Sequence, residues 1–478
     1  MPSSFRFCHL VLTGVVLSGL FPSARQAFGE GIRAKDWFVQ RLSGREVPVP
    51  ANRTLAAAEV AGAQEALWAN YKAAARQLGW EKEIMVPPAV EKLPPMEEIK
   101  KLPPDKRPKL PKFEAEVIPC GGEKMPYLLF SRGKKPAGGF PLFFQMHGGG
   151  STNEKLSGPH GWEVNSRDWQ NQIGVCLFKL PEGMYFVPRM ANDNKGRWWF
   201  KHNQIAFDRV MRLAVLFREV DPNRIYMMGI SEGAYGTEIL TPFWADRLAG
   251  GCAMAGGNGG GEPLYNLRNT AFRNDTGEKD TMFDRIKLAT QAHDFLEALK
   301  REDPAGYDHR LFIHPGGHAI DYQPGPAWIA TKRRNPRPDK ICWYNHAVDG
   351  QRRTDFSWLS LDTAPERDTL IIATADRAAN TITVTAEIVP PPPSGEKPKS
   401  KKSGVPAPAG SRIPYAGNTL TIHLDDRIAN LDKPVTVIFN GKQVSTGLVE
   451  RSLANMAEDI VRHGDPERVF PARRSVKF

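Results

Sequence analysis

The pentapeptide Gly229-Ile230-Ser231-Glu232-Gly233 stands between the apolar run Ile225-Tyr226-Met227-Met228 and a helix-favouring stretch that opens at Ala234. A serine with glycine two positions to either side, a strand before it and a helix after it, demands a turn in which backbones approach more closely than a Cβ allows. Such a turn lifts the hydroxyl above the end of a sheet. It restricts the chain to folds in which a strand feeds straight into a helix, and the surrounding pattern agrees. Short apolar runs at Ala115 to Pro119, Pro126 to Ser131, Pro141 to Met146 and Gly174 to Leu180 predict strands. Helical stretches at Asn203 to Arg218, from Ala234, and at Ile286 to Lys300 then alternate with strand-like runs at Arg224 to Met228, Gly251 to Met254 and Leu311 to Ile313. This alternation predicts an α/β domain over residues 113–335, with a mainly parallel sheet covered by helices on both faces.

The flanking segments differ in composition. Thr54 to Leu78 is rich in Ala, Glu, Gln and Lys with apolar residues at helical spacing, and predicts one amphipathic helix. Val86 to Lys112 carries Pro87-Pro88, Pro94-Pro95 and Pro103-Pro104, which block helix and central strand alike. Residues 30–112 thus read as a helical and Pro-rich N-terminal extension. Residues 336–478 read as a connector and a small antiparallel β domain, from the runs Thr369 to Ala373, Thr381 to Ile388, Thr419 to His423 and Pro434 to Asn440, the last entering the hairpin signal Asn440-Gly441. Within it, residues 390–411 form a Pro, Lys, Ser and Gly tract too polar to order itself, and predict a disordered loop. Residues 1–29 predict a cleaved signal peptide. Arg6 supplies the charge, Leu10 to Phe21 the apolar run and Ala27-Phe28-Gly29 the cleavage site. That run is well short of the ~20 residues of a membrane-spanning helix. The expected location is therefore exported, periplasmic or extracellular, with no integral span after cleavage.

Of 478 residues, 41% are hydrophobic and 24% charged, which fits a soluble globular chain. The net charge of +11 favours acidic partners in general, but the densest basic stretches, Lys100 to Lys112 and Lys397 to Lys402, lie among prolines and serines without any nucleic-acid motif. No nucleic-acid partner is expected. Of five cysteines, Cys8 falls in the leader, while Cys176 and Cys252 sit in strand-like apolar runs that suit buried thiols. No spacing resembles a zinc site, and Asp425, Asp426 and Asp432 complete no calcium loop. Neither metal nor cofactor is expected.

Three further segments complete a chemistry around Ser231. His147-Gly148-Gly149-Gly150 follows the run Leu142 to Met146, and its glycines turn backbone amides toward a developing oxyanion. The amides near Gly149 and Glu232, the residue after the serine, form the expected oxyanion hole. His147 precedes that turn and reads as structural. In the chain order serine, acid, histidine, Gly277-Glu278-Lys279-Asp280 offers Asp280, with Asp275 and Glu278 as rivals. His314-Pro315-Gly316-Gly317-His318 offers His318 beyond a glycine turn, with His314 as its rival. Met184-Tyr185-Phe186 and Arg197-Trp198-Trp199-Phe200 contain an aromatic set, and Tyr185, Trp198 and Trp199 are the expected substrate contacts, with core filling as the alternative. Arg189 and Lys195 read as surface charge rather than as carboxylate binders.

Asp221-Pro222-Asn223-Arg224-Ile225-Tyr226 leading into Gly229-Ile230-Ser231-Glu232-Gly233, the acid loop, the histidine loop, and Arg334-Asn335-Pro336 with Trp358 to Asp362 together resemble a known family. It is the exported α/β-hydrolase-fold serine esterases, like poly(3-hydroxybutyrate) depolymerases, feruloyl esterases and dienelactone hydrolases. The resemblance implies Ser231 as nucleophile, Asp280 and His318 as its partners, and cofactor-free hydrolysis of a small-molecule or polymer-linked ester. Two positions depart from the family. Glu232 puts a carboxylate beside the nucleophile, and Tyr235 stands where glycine is common. The expected function is an exported serine hydrolase acting on carboxylic esters. The alternatives are a prolyl-oligopeptidase-type peptidase, for whose N-terminal propeller Glu30 to Lys112 is too short, and a non-catalytic envelope binding protein that keeps a hydrolase shell.

Overall fold

The structure, a computed structural model, describes residues 33–49, 53–91, 93–94, 96–106, 111–150, 161–390 and 412–478. The leader and the tract from 391 to 411 lie outside these residues. Among them, one sheet has nine strands: β1 (Ala89–Val90), β2 (Glu116–Cys120), β3 (Glu123–Arg132), β4 (Phe140–Met146), β5 (Gly183–Pro188), β6 (Val220–Ile230), β7 (Gly250–Met254), β8 (Ala271–Gly277) and β9 (His309–His314). They run in the order β1-β3-β5-β4-β6-β7-β8-β9, with β2 beside β3. From β5 to β9 every pairing is parallel, whereas β3 is antiparallel to β5 and to β2. A parallel sheet needs cover on both faces, and the side-chain alternation shows it. Leu142, Phe144 and Met227 enter one buried cluster; Phe143, Tyr226 and Met228 enter another on the opposite face.

Nine helices provide the cover among the described residues: α1 (Ala34–Leu42), α2 (Val60–Gln77), α3 (Met96–Lys101), α4 (Gly161–Phe178), α5 (Lys201–Phe217), α6 (Glu232–Phe243), α7 (Arg285–Glu302), α8 (Pro324–Ile329) and α9 (Leu453–His463). Residues of α1, α2, α5 and α9 share the first cluster, and residues of α4 and α8 the second. No helix among the described residues is long and apolar enough to cross a membrane. The Pro-rich stretch does more than connect, because Ala89 and Val90 pair with Ser131 and Arg132 and extend the sheet.

One expected strand is a helix. Gly174 to Phe178 forms the end of α4, and the strand lies just beyond it as β5, Gly183–Pro188. A short apolar run does not by itself distinguish a buried strand from a buried helix end, and the three residues Met184-Tyr185-Phe186 are a central strand.

The C-terminal strands are β10 (Lys340–Asn345), β11 (Asp355–Phe356), β12 (Leu359–Leu361), β13 (Thr369–Asp376), β14 (Thr381–Ile388), β15 (Ile413–Pro414), β16 (Thr419–Leu424), β17 (Val435–Phe439), β18 (Lys442–Gly447) and β19 (Ala472–Lys477). They make two sheets, β10-β13-β14-β17-β18 with β15 on β14, and β11-β12-β16-β19. Their apolar faces share one core that includes Trp343, Trp358, Ile371, Val384, Ile422 and Val437. All pairs are antiparallel except β14 with β17. Asn440 (φ 46°) and Gly441 (φ 78°) make the left-handed two-residue turn between β17 and β18. Buried ion pairs join these sheets to the parallel one: Arg353 and Arg468 both reach Asp246, which follows α6, and Asp355 of β11. Asp425, Asp426 and Asp432 are paired with Arg337, Arg427 and Arg451.

Candidate active site

β6 ends at Ile230 and α6 begins at Glu232, so the whole change of direction falls on Ser231, at φ 55° and ψ −112°. That conformation costs a non-glycine residue of order 1–3 kcal/mol. It is held by the Ser231 amide, which donates to the Met254 carbonyl at 2.9 Å. Both glycines are required sterically. A Cβ on Gly229 would enter the Gly233 backbone, and one on Gly233 would come within 2.8 Å of the Met146 carbonyl carbon at the end of β4.

β4 delivers His147 to Gly150 to the same end of the sheet. Gly149 (φ 99°) and Gly150 (φ 105°) adopt backbone that favours glycine, and a Cβ on Gly148 would lie 3.3 Å from Cβ of Ser231. The loop is clamped from behind. Buried Asn165 of α4 accepts from the Gly150 amide at 2.9 Å and donates to the Gly150 carbonyl at 2.8 Å and to Asp193 at 2.5 Å. Arg189 in turn holds Asp193 through two bonds of 3.0 and 2.9 Å. His147 is fully buried, and its Nε2 accepts from the Met190 amide at 3.0 Å. Burial lowers its pKa to about 4, so it is a neutral structural ring. Gly149 is exposed, and Glu232 opens α6, whose first amides have no intrahelical partner.

The acid and histidine loops follow β8 and β9 and are stitched together: Glu278 donates its amide to the His314 carbonyl at 3.0 Å, and Lys279 to that of Gly316 at 2.8 Å. Asp280, buried, lies 2.7 Å from His318 Nδ1 through one carboxylate oxygen and accepts from Arg285 at 3.1 Å through the other. The rivals are occupied otherwise. Asp275 is buried in β8 against Arg273 at 2.5 Å, Glu278 is solvent-facing, and His314 closes β9. Asp168 of α4 completes the surroundings. Its carboxylate lies 3.1 Å from where a Gly148 Cβ would be, and burial raises its pKa against the opposing influence of Arg167 and His318.

Behind the serine lies a buried charge cluster. Glu232 folds against Gly150 and pairs with Arg197 at 2.6 Å, yet its other oxygen is buried without a hydrogen bond. Burial outweighs Arg197 and raises its pKa to about 7. Glu238, farther along α6, accepts from the Gly257 amide at 3.2 Å, and burial raises it to about 8. Arg285 has its guanidinium 5.8 Å from the Tyr235 ring.

Two of the three expected substrate aromatics are core residues. Tyr185 of β5 stacks on Phe143 of β4 at 5.2 Å, with its hydroxyl on the Pro181 carbonyl. Trp198 is fully buried against Phe207 and donates to the His147 carbonyl at 3.0 Å; it supports the glycine loop from beneath. With no exposed face, neither can touch a substrate. Trp199 is half-buried, with the Arg197 guanidinium 5.9 Å from its ring. Asn165, Asp168, Arg197, Glu238 and Arg285 carry no sequence signal of their own. Only the geometry brings them to the site.

Strand order, the turn at Ser231 and the sequence of loops after β4, β6, β8 and β9 define an α/β-hydrolase fold with a separate, mainly antiparallel C-terminal part. No protein-family model matches the chain. No curated protein matches it. Among solved structures it is similar to a thermostable esterase, at 19% identity and TM-score 0.31 over 46% of this chain and 63% of that one. It is also similar to a ferulic acid esterase, at 16% identity and TM-score 0.30 over 44% of this chain and 91% of that one. A third is S-formylglutathione hydrolase from Staphylococcus aureus, at 12% identity and TM-score 0.30 over 46% and 99%. The chain spans less than two thirds of the length of the thermostable esterase.

Proposed function

We propose that the protein is an exported serine hydrolase that cleaves carboxylic esters through an acyl-enzyme. The observation that supports this most is the Asp280–His318 pair at 2.7 Å, set at the same strand ends as a serine held in a strained turn. In this reading His318 Nε2 takes the proton of Ser231 as its oxygen attacks the ester carbonyl, and Asp280 holds Nδ1–H and steadies the imidazolium. The amides of Gly149 and Glu232 receive the oxyanion. The imidazolium then protonates the leaving alcohol, and water, deprotonated by the same ring, releases the acid and frees the serine. The substrate is a small-molecule or polymer-linked ester, reached after removal of residues 1–29, in the periplasm or outside the cell. No cofactor enters these steps.

A fluorophosphonate probe followed by peptide mapping tests the reading. Modification of Ser231, lost on prior heat unfolding, supports it. A folded protein that stays unlabelled overturns it.

A further inference from the structure

Away from the strand ends that carry Ser231, α7 and the start of β9 bring three donor groups together. His293 and Glu297 are one helical turn apart on α7 and share a face. His309 opens β9 at the end of the strand remote from His314 and the histidine loop. One donor atom from each of the three lies within 4.8 Å of the other two, and the two imidazole centroids are 5.0 Å apart.

The hydrogen bonding around this cluster is incomplete in an informative way. His309 Nδ1 lies 2.8 Å from the Tyr307 carbonyl. A carbonyl only accepts, so the proton sits on Nδ1 and the lone pair on Nε2 faces His293 and Glu297. Metal-bound histidines are oriented in this way by their second nitrogen. Nε2 is buried without a hydrogen-bond partner, and so is Nδ1 of His293. The Glu297 carboxylate comes within 3.1 Å of Nε2 but out of hydrogen-bond alignment. Buried polar atoms without a partner are uncommon, and here each of two adjacent imidazoles carries one.

The geometry points to a divalent transition-metal site formed by His293, Glu297 and His309. Two imidazoles and one carboxylate suit zinc, with a fourth position left for water. Ligand bonds of about 2.1 Å in a tetrahedron require ligand separations of about 3.4 Å. Glu297 Oε1 and His309 Nε2 already lie 3.1 Å apart, so the approach still needed is that of the His293 ring toward these two. Bound there, the ion would clamp α7 to the edge strand β9. α7 starts with Arg285, which holds Asp280, and β9 leads into the loop of His318.

The test uses untagged protein stripped with a chelator, then titrated with cobalt(II) and zinc. One equivalent of cobalt should bind with visible ligand-field bands and no thiolate charge-transfer band, and zinc should displace it. Zinc should raise the thermal midpoint of the wild type. Glu297→Gln, altered at a half-exposed side chain, and His293→Asn should each bind at least about tenfold more weakly and lose the zinc-dependent thermal shift. His309→Gln should do the same, but its burial makes the other two the decisive variants. Absence of stoichiometric uptake overturns the site, as does equal uptake by wild type and the two variants, or a thiolate signature.

Discussion

Two buried charge clusters in this molecule use the same ingredients and titrate in opposite directions. Behind Ser231, the cations acting on the carboxyls of Glu232 and Glu238 are Arg197 and Arg285, and Arg285 is already bonded to Asp280. Burial prevails, and the two glutamates rise to about 7 and about 8. At the junction with the C-terminal sheets, Asp246 and Asp355 are each reached by both Arg353 and Arg468. There the guanidiniums prevail, and both carboxyls are held below the ordinary range. Burial alone therefore does not set the sign of a shift; the ratio of cations to carboxyls does. A cation-poor cluster is costly to fold and responsive to pH near neutrality, which suits a site. A matched cluster holds parts together.

Four measurements would break or sharpen this contrast. The largest effect belongs to Ser231→Ala, which should lower ester kcat/KM by about ten-thousandfold with an unchanged circular dichroism spectrum. Unchanged turnover would remove the chemical meaning of the first cluster altogether. At the junction, Asp246→Ala should cost about 3–5 kcal/mol in urea unfolding, because Arg353 and Arg468 lose a buried counter-charge. Fluorophosphonate labelling of the folded fraction should be unaffected.

Glu238→Gln should stabilise the protein by about 1–3 kcal/mol at pH 9 and do nothing at pH 4. Between the ordinary carboxyl value of 4.5 and about 8 the folded protein keeps a proton that the unfolded chain has released, so wild-type stability declines as pH rises through that window. The junction behaves inversely. Its contribution is complete above 3.8 and is lost as pH falls below that value through the depressed pKa values. Parallel pH–stability curves for Glu238→Gln and the wild type would contradict the assignment. The smallest effect is expected from Glu232→Gln, which removes a negative charge beside the oxyanion loop. Ester kcat/KM should match the wild type below pH 6 and exceed it roughly two- to fivefold above pH 8. A fall at alkaline pH would mean that the carboxylate itself takes part in the chemistry.

The residues legible in the sequence were those whose backbone is extraordinary. Gly229, Gly233, Gly149 and Gly150 declare turns that no other residue makes cheaply, and they lead to Ser231. The glycines before His318 likewise separate it from His314. Asp280 was readable only by chain order, and its bond to His318 selects it from Asp275 and Glu278. What was hidden depended on packing between distant elements. Asn165 holding Gly150, or Trp198 supporting His147, has no local signature. The exchange of Gly174 to Leu180 for β5 reflects two adjacent apolar runs that periodicity does not separate. α9 has a local signature as well: Leu453, Met456, Ala457 and Ile460 repeat at helical spacing, behind the Ser452 side chain accepting from the Asn455 amide.

The helices near the two ends of the chain are joined to each other. Leu55 donates its amide to the Arg451 carbonyl at 2.8 Å, Leu453 returns a bond to Arg53 at 3.1 Å, and Gln64 reaches Pro466 across 402 positions. Contacts of such separation are the last to form on a growing polypeptide. A ribosome must release residues as far as α9 before α2 finds this partner, so the side of α2 that meets α9 waits uncovered after the side that meets α5, where Arg212 bonds to Tyr71, can pack. A translation product interrupted before α9 would present that uncovered side of α2 to chaperones and proteases, and quality control would thereby act on the presence of α9 rather than on the reaction site.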